Sequence, residues 1–121
     1  MANDKKTLHL VLKKQYFDDI LSGKKKNEIR EIRPKNASRY IEYKEDKDGE
    51  YVQAIKYDFI KFYLGYSKNR PEMLVECLGV DNIVLTDDED NDLTYVENGE
   101  TYVRALNEYK LGKIISKANI I

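Results

Sequence analysis

Three ionisable residues stand close together in the stretch LSGKKKNEIREIRP, Leu21 to Pro34: Lys25, Glu28 and Arg30. Glu28 and Arg30 are two apart, which on a β-strand puts both side chains on one face, where an ion pair fixes each of them. Exposed, such a pair contributes about 0–1 kcal/mol and explains little. Recessed, it holds the planar guanidinium of Arg30 ready for a phosphate or the edge of a base. Lys25 is either a solvated turn residue or the mobile cation of a cleft. Work as a nucleophile or base requires burial or a neighbouring cation to favour its neutral amine. Lys24, Lys26 and Arg33 flank the same segment, and they cannot all enter one pocket, so some are rim charges. The candidate ligand-binding set is therefore Lys24, Lys25, Lys26, Glu28, Arg30 and Arg33, with Lys25 and Glu28 as candidate catalytic residues. The alternative for the whole set is an ordinary charged strand face.

Other chemistry is scarce. Cys77 is the single cysteine, so neither a disulfide framework nor a cysteine metal site forms within one chain, and its expected place is a small core position. His9 is the single histidine, which removes histidine-rich metal sites. No metal and no cofactor are expected. Glu76 sits inside the apolar run MLVECLGV, where alternation turns it to solvent unless it approaches the cleft. Ten tyrosines are present, and Tyr57, Phe59, Tyr63 and Tyr66 cluster in one segment. Such rings stack single-stranded bases when exposed beside basic residues, or fill the core of a small β-protein.

These residues need elements to position them. TLHLVLK, Thr7 to Lys13, alternates as a strand, with Leu8, Leu10 and Leu12 on one face. A helix over about Gln15 to Ser22 follows, with Tyr16, Phe17, Ile20 and Leu21 at helical spacing, and it packs Phe17, Ile20 and Leu21 on a sheet. Gly23 stands where a helix C-terminus takes positive φ, and the lysines beyond it favour the negative end of the helix dipole. NEIREI resumes strand periodicity until Pro34, and a helical turn is expected after Asn36. KEDKDGE reads as a polar loop with a turn at Asp48-Gly49. YDFIKFYLGY and PEMLVECLGVDNIVL read as strands, TDDEDNDLTYVENGE as an exposed acidic loop, and TYVRAL with YKLGKIISKANII as closing strands. Strand, helix, strand, then mostly strands implies a β-rich α+β fold. The economical form is a curved or closed sheet packed by one principal N-terminal helix, with short additional helical turns.

At 121 residues the chain suits a single domain spanning residues 1–121. No opening segment has the pattern of a signal peptide, and no apolar run approaches the roughly 18 residues of a membrane span. A cytoplasmic location, no membrane partner and a monomer are the expectations. The net charge of −1 hides an asymmetry: residues 1–44 hold 12 Lys/Arg against 6 Asp/Glu, residues 45–101 hold 5 against 15, and residues 102–121 hold 4 against 1. A basic N-terminal region meets a polyanion only if the fold separates it from the acidic middle. Lysine outnumbers arginine 16 to 5, which suits point-charge contacts more than bidentate readout.

The stretch LKKQYFDDILSGKKKNEIRE, in this context of strand, helix, glycine stop and charged strand, resembles the ASCH family. Its members carry a Gly-x-Lys-x-x-Glu-x-Arg signature at this junction, matched here by Gly23, Lys25, Glu28 and Arg30. YKLGKII is similar to the family's last strand, while Ser38 to Glu50 and Asp87 to Asn98 look like variable insertions. The resemblance implies a PUA-like mixed β-barrel with a cleft lined by the signature residues, and RNA or a nucleotide-like small molecule as partner. It also implies an alternative, an amidohydrolase that removes the acyl group of N4-acetylcytidine. That smaller group uses a lysine at the position of Lys25, a threonine where this chain has Glu28, and a later glutamate.

Overall fold

A computed structural model describes residues 5–120. Among them the order is β1 (Thr7–Leu12), α1 (Lys14–Leu21), β2 (Asn27–Ile32), α2 (Ala37–Tyr40), β3 (Ile41–Asp46), β4 (Gly49–Ala54), β5 (Phe59–Leu64), β6 (Glu72–Val84), β7 (Thr94–Glu97), β8 (Glu100–Val103) and β9 (Ala105–Ala118). The fold is β-rich α+β with a mixed five-stranded sheet in the order β1-β5-β6-β9-β2, and two hairpins, β3-β4 and β7-β8. The barrel expected from the sequence is not closed: β1 and β2 are the edges of the sheet, and no ladder joins them. No helix among the described residues is long and apolar enough to cross a membrane.

The chain divides into two compact units, one of Met1–Glu28, Lys56–Gly79 and Tyr109–Ile121, the other of Ile29–Ile55 and Val80–Glu108. In the first, β1 runs parallel to β5 and β5 antiparallel to β6. The registers align Leu8 with Ile60 and Ile60 with Val75, and likewise Leu10 with Phe62 and Phe62 with Met73. Two apolar rows therefore cross three strands, and all six side chains are buried. Full burial of a side chain of this kind stabilises the fold by about 1.5–3 kcal/mol. Helix α1 adds Phe17 and Ile20, three apart on one face, both buried. Tyr16, placed by its spacing on the apolar stripe, is instead 46% exposed. An eight-residue helix has room for only a narrow buried face, and the ring falls at its margin.

The helix stops as its sequence dictates. Ser22 and Gly23 donate their N–H groups to the carbonyls of Asp18 and Ile20, and Gly23 takes a φ of +84°, a value a side chain resists.

The second unit holds α2 and both hairpins, and here the sequence reading needs correction. Lys44 to Glu50 is not a loop: only Lys47 and Asp48 turn between β3 and β4, and the Asp48 N–H donates to Asp46 Oδ1 at 2.8 Å. Both faces of this hairpin are largely exposed, so no apolar alternation marks it. Cross-strand polar pairing holds it instead, as where Gln53 Nε2 donates to Glu42 Oε2 at 3.0 Å. The acidic segment also contains structure. Thr94 to Val103 forms β7-β8 around Asn98-Gly99, whose φ values of +52° and +81° give the backbone twist that tight hairpins favour.

Candidate functional site

Lys25 and Glu28 meet in the first unit. Lys25 leaves the turn after α1, its N–H donating to the Asp19 carbonyl at 2.9 Å, and its Nζ stands 3.3 Å from Glu28 Oε1. Glu28 opens β2 on the inward face and is 5% exposed, the one buried acid among the described residues. A buried carboxylate is costly unless its charge is met, and Lys25, with a side chain 23% exposed, meets it from the wet side. Lys25 Nζ also lies 5.8 Å from the centre of the half-exposed Tyr16 ring.

Beside this pair opens a cavity of about 620 Å³ whose lining includes Gly23, Lys25, Lys26, Gly112 and Lys113. Apart from Ser22 its remaining walls are apolar, among them Ile20, Val75 and Leu111, with no carboxylate among the lining residues. The Leu111 N–H donates to the Lys26 carbonyl at 2.9 Å, which sets β9 beside the start of β2 and brings Lys113 to a site 88 positions from Lys25 in sequence. The C-terminus of α1 contributes about half a negative charge here. The lysines outweigh it, even with Lys25 partly neutralised by Glu28.

Gly112 permits this approach. A Cβ there would meet the Glu76 carboxylate and would lie 3.0 Å from Leu78 Cδ2 and 3.1 Å from Glu76 Cβ. Glu76 is half-buried, neither solvent-facing nor a lining residue, and its Oε1 accepts the Lys113 N–H at 3.4 Å.

Lys24, Arg30 and Arg33 are not among the residues that line this cavity. Lys24 is exposed on the turn. Arg30 and Arg33 belong to the second unit, where both are half-buried. Arg33 pairs with Glu31 at 2.9 Å and lies over the Tyr95 ring at 4.1 Å. The tyrosine cluster of β5 is neither a full core nor a bare platform. Tyr66 is 85% exposed, and half-buried Tyr63 has the Arg70 guanidinium 4.0 Å from its ring, with its hydroxyl 2.8 Å from His9 Nδ1. The fully buried tyrosines are Tyr40 and Tyr109. Burial raises the pKa of the half-buried Cys77 thiol, partly offset by a backbone hydrogen bond with Gly79. Among the described residues no group of His, Cys, Asp and Glu side chains could hold a metal ion.

Over the described residues the first unit carries 14 Lys/Arg against 6 Asp/Glu, a balance of +8, and the second 7 against 15, or −8. The asymmetry along the chain thus becomes a division between units. Sequence position hid it, because the basic C-terminal strand joins the basic N-terminal segment only on folding. Lys113, Gly112 and Tyr16 are the site residues that sequence reasoning did not single out. Comparison with protein-family models, with curated proteins and with solved structures found no match.

Proposed function

We propose that the first unit binds a phosphorylated ligand, a nucleotide or a short single-stranded RNA, in the cavity of Lys25, Lys26 and Lys113. The observation that carries this reading is a recess lined by three lysines and no acid, in a unit of balance +8. Lys26 and Lys113 are exposed and free to follow a phosphate, while Lys25 is steadied by Glu28. Tyr16, half-exposed beside Lys25, supplies a ring on which a base can stack, a contact worth about 1–3 kcal/mol per base. The match of Gly23, Lys25, Glu28 and Arg30 to the ASCH signature supports the same reading. On it the mixed sheet and its single principal helix are a PUA-like arrangement, and the ligand is RNA or a nucleotide.

A second reading draws on the Lys25–Glu28 pair, a lysine fixed beside a buried acid at the edge of a cavity. Hydrolysis of N4-acetylcytidine adds water across the amide, breaks the C–N bond and releases cytidine and acetate. The binding reading stands ahead of it, because Glu28 occupies the threonine position and no second buried acid lies among the described residues. Incubation with N4-acetylcytidine followed by chromatography tests the hydrolase, and release of cytidine that Lys25→Ala abolishes would establish it.

Binding is tested by fluorescence anisotropy with a short labelled RNA across a salt series. Two or three phosphate contacts give a slope of log affinity against log salt of about −1.4 to −2.1. Lys26→Ala/Lys113→Ala should bring it toward about −0.7, at little cost to the fold because both side chains are exposed. Equal salt curves for the parent and the double variant would remove the proposed site.

A further inference from the structure

We infer that the first unit carries a second contact for single-stranded RNA at the loop between β5 and β6, with a base stacked on Tyr66 and a phosphate on Arg70. This contact rests on the binding reading above and extends it from a nucleotide to a longer strand. The loop from Gly65 to Pro71 reads GYSKNRP, two cations and a ring without an acid. It closes where the Leu64 N–H donates to the Pro71 carbonyl at 2.9 Å, and Gly65 turns it with a φ of +69°. Tyr66 is 85% exposed, so its ring is open to a base.

Arg70 is held in place without a carboxylate. Its Nη1 donates to the Gly65 carbonyl at 3.1 Å, and its guanidinium lies 4.0 Å from the Tyr63 ring. Tyr63 is itself fixed, its hydroxyl 2.8 Å from His9 Nδ1. Among the described residues no acid pairs with Arg70. A guanidinium has five N–H donors, so an oriented fork remains for an anion, and a phosphate fits it bidentately. Further cations gather at this end. Lys13 follows Leu12, whose carbonyl accepts the Gly65 N–H at 3.4 Å, and Lys117 shares a small recess with Lys61 and Glu72. With Lys68 and Arg70, five Lys/Arg meet one acid, Glu72, which Lys61 pairs at 2.9 Å. The unit's other acids are held elsewhere. Asp18 pairs with Lys14 at 2.7 Å, Asp19 lies on α1 beside it in sequence, and Glu28 meets Lys25. Asp58 accepts the Lys6 N–H at 2.8 Å and Glu76 the Lys113 N–H at 3.4 Å. Leu78, in the wall of the lysine cavity, stands six residues along β6 from Glu72, about 20 Å. A mononucleotide is too small to reach both places, and a strand of several nucleotides is not. A membrane is a poorer partner, since Tyr66 is followed by Ser67, Lys68 and Asn69, which give the loop no apolar face to insert.

The full chain is titrated by anisotropy with a labelled oligouridylate of about 12 nucleotides across a salt series, and by calorimetry with cytidine monophosphate. Tyr66→Ala should weaken the oligomer about tenfold, and Tyr66→Trp should restore it. Lys68→Ala/Arg70→Gln should make the slope of log affinity against log salt about 1.4 shallower. None of these variants should change binding of cytidine monophosphate, which Lys26→Ala/Lys113→Ala should weaken. Oligomer curves for Tyr66→Ala equal to the parent's, or no rescue by Tyr66→Trp, would overturn the inference and leave the lysine cavity standing. Loss of the oligomer in Tyr66→Ala with full binding of both ligands by the lysine variant would uphold this contact and remove the cavity. Absence of all binding by the parent would overturn both. Binding to phosphatidylserine vesicles that Tyr66→Ala abolishes, with the oligomer curve unchanged, would make a membrane the partner and overturn it as well. Should Arg70→Gln unfold, the two Tyr66 variants decide alone, because that side chain is exposed.

Discussion

Replacing Lys25 with methionine tests the physics on which the lysine site stands. The substitution keeps most of the stem and removes the cation 3.3 Å from Glu28 Oε1. The carboxylate stays where only 7% of its side chain meets water, while Lys25 was itself 23% exposed. Removing one partner of a fully buried ion pair costs about 3–5 kcal/mol. Partial solvation on the lysine side, and the contacts Glu28 keeps besides Lys25, lower the expectation to about 1–3 kcal/mol. With a urea m-value near 2 kcal/mol per molar, a loss of about 2 kcal/mol moves the midpoint by about 1 M. The chain has no tryptophan and ten tyrosines, so far-UV circular dichroism and tyrosine emission are the probes. Adding Glu28→Gln to the variant removes the buried charge itself and should restore most of the midpoint. A Lys25→Met midpoint within about 0.2 M of the parent, or no recovery in the double variant, would refute the view that Lys25 meets a buried charge.

Gly112→Ala should destabilise the first unit by about 1–3 kcal/mol, because the new methyl meets both Glu76 and Leu78, and a urea midpoint equal to the parent's would contradict the close approach. Asp87 accepts N–H bonds from Glu89 at 2.8 Å and Asn91 at 3.0 Å, which hold its carboxyl below the ordinary value of 3.8. The contribution of a depressed carboxylate is present above the unfolded value and lost as pH falls through the folded one. The Glu89 and Asn91 amides should therefore lose protection from hydrogen exchange only below about pH 4, after correction for intrinsic rates, and Asp87→Asn should flatten that dependence. Gly99→Ala, at a φ of +81°, should weaken the β7-β8 hairpin by about 1 kcal/mol, read from exchange of the Tyr95 and Thr101 amides.

What the sequence made legible follows from burial. Leu8, Leu10 and Leu12 alternate because one face of β1 is buried, and Phe17, Ile20 and Gly23 mark a helix and its stop for the same reason. NEIREI could be read as a strand to its ends. The β3-β4 hairpin left no such trace, since its pairs are polar and its faces wet. The β7-β8 hairpin did leave one, the Asn98-Gly99 turn, masked by the acids before it. At the site, Lys25 and Glu28 were visible because they are neighbours in the chain. Lys113 was not, because only the alignment of β9 against the start of β2 brings it there. Closure of the sheet could not be read either, since alternation reports which face is buried and is silent on whether the edges of the sheet meet.

The central claim is that an anion enters the lysine cavity of the first unit. A two-dimensional 15N–1H titration of the full chain with cytidine monophosphate tests it most directly. The account predicts saturable shifts at the amides of Gly23, Lys25, Lys26, Gly112 and Lys113, weakened by added salt, with cytidine alone shifting them far less. The amides of the acidic segment from Asp87 to Glu100 should stay in place. Shifts confined to the second unit, or equal responses to cytidine and its monophosphate, would contradict it.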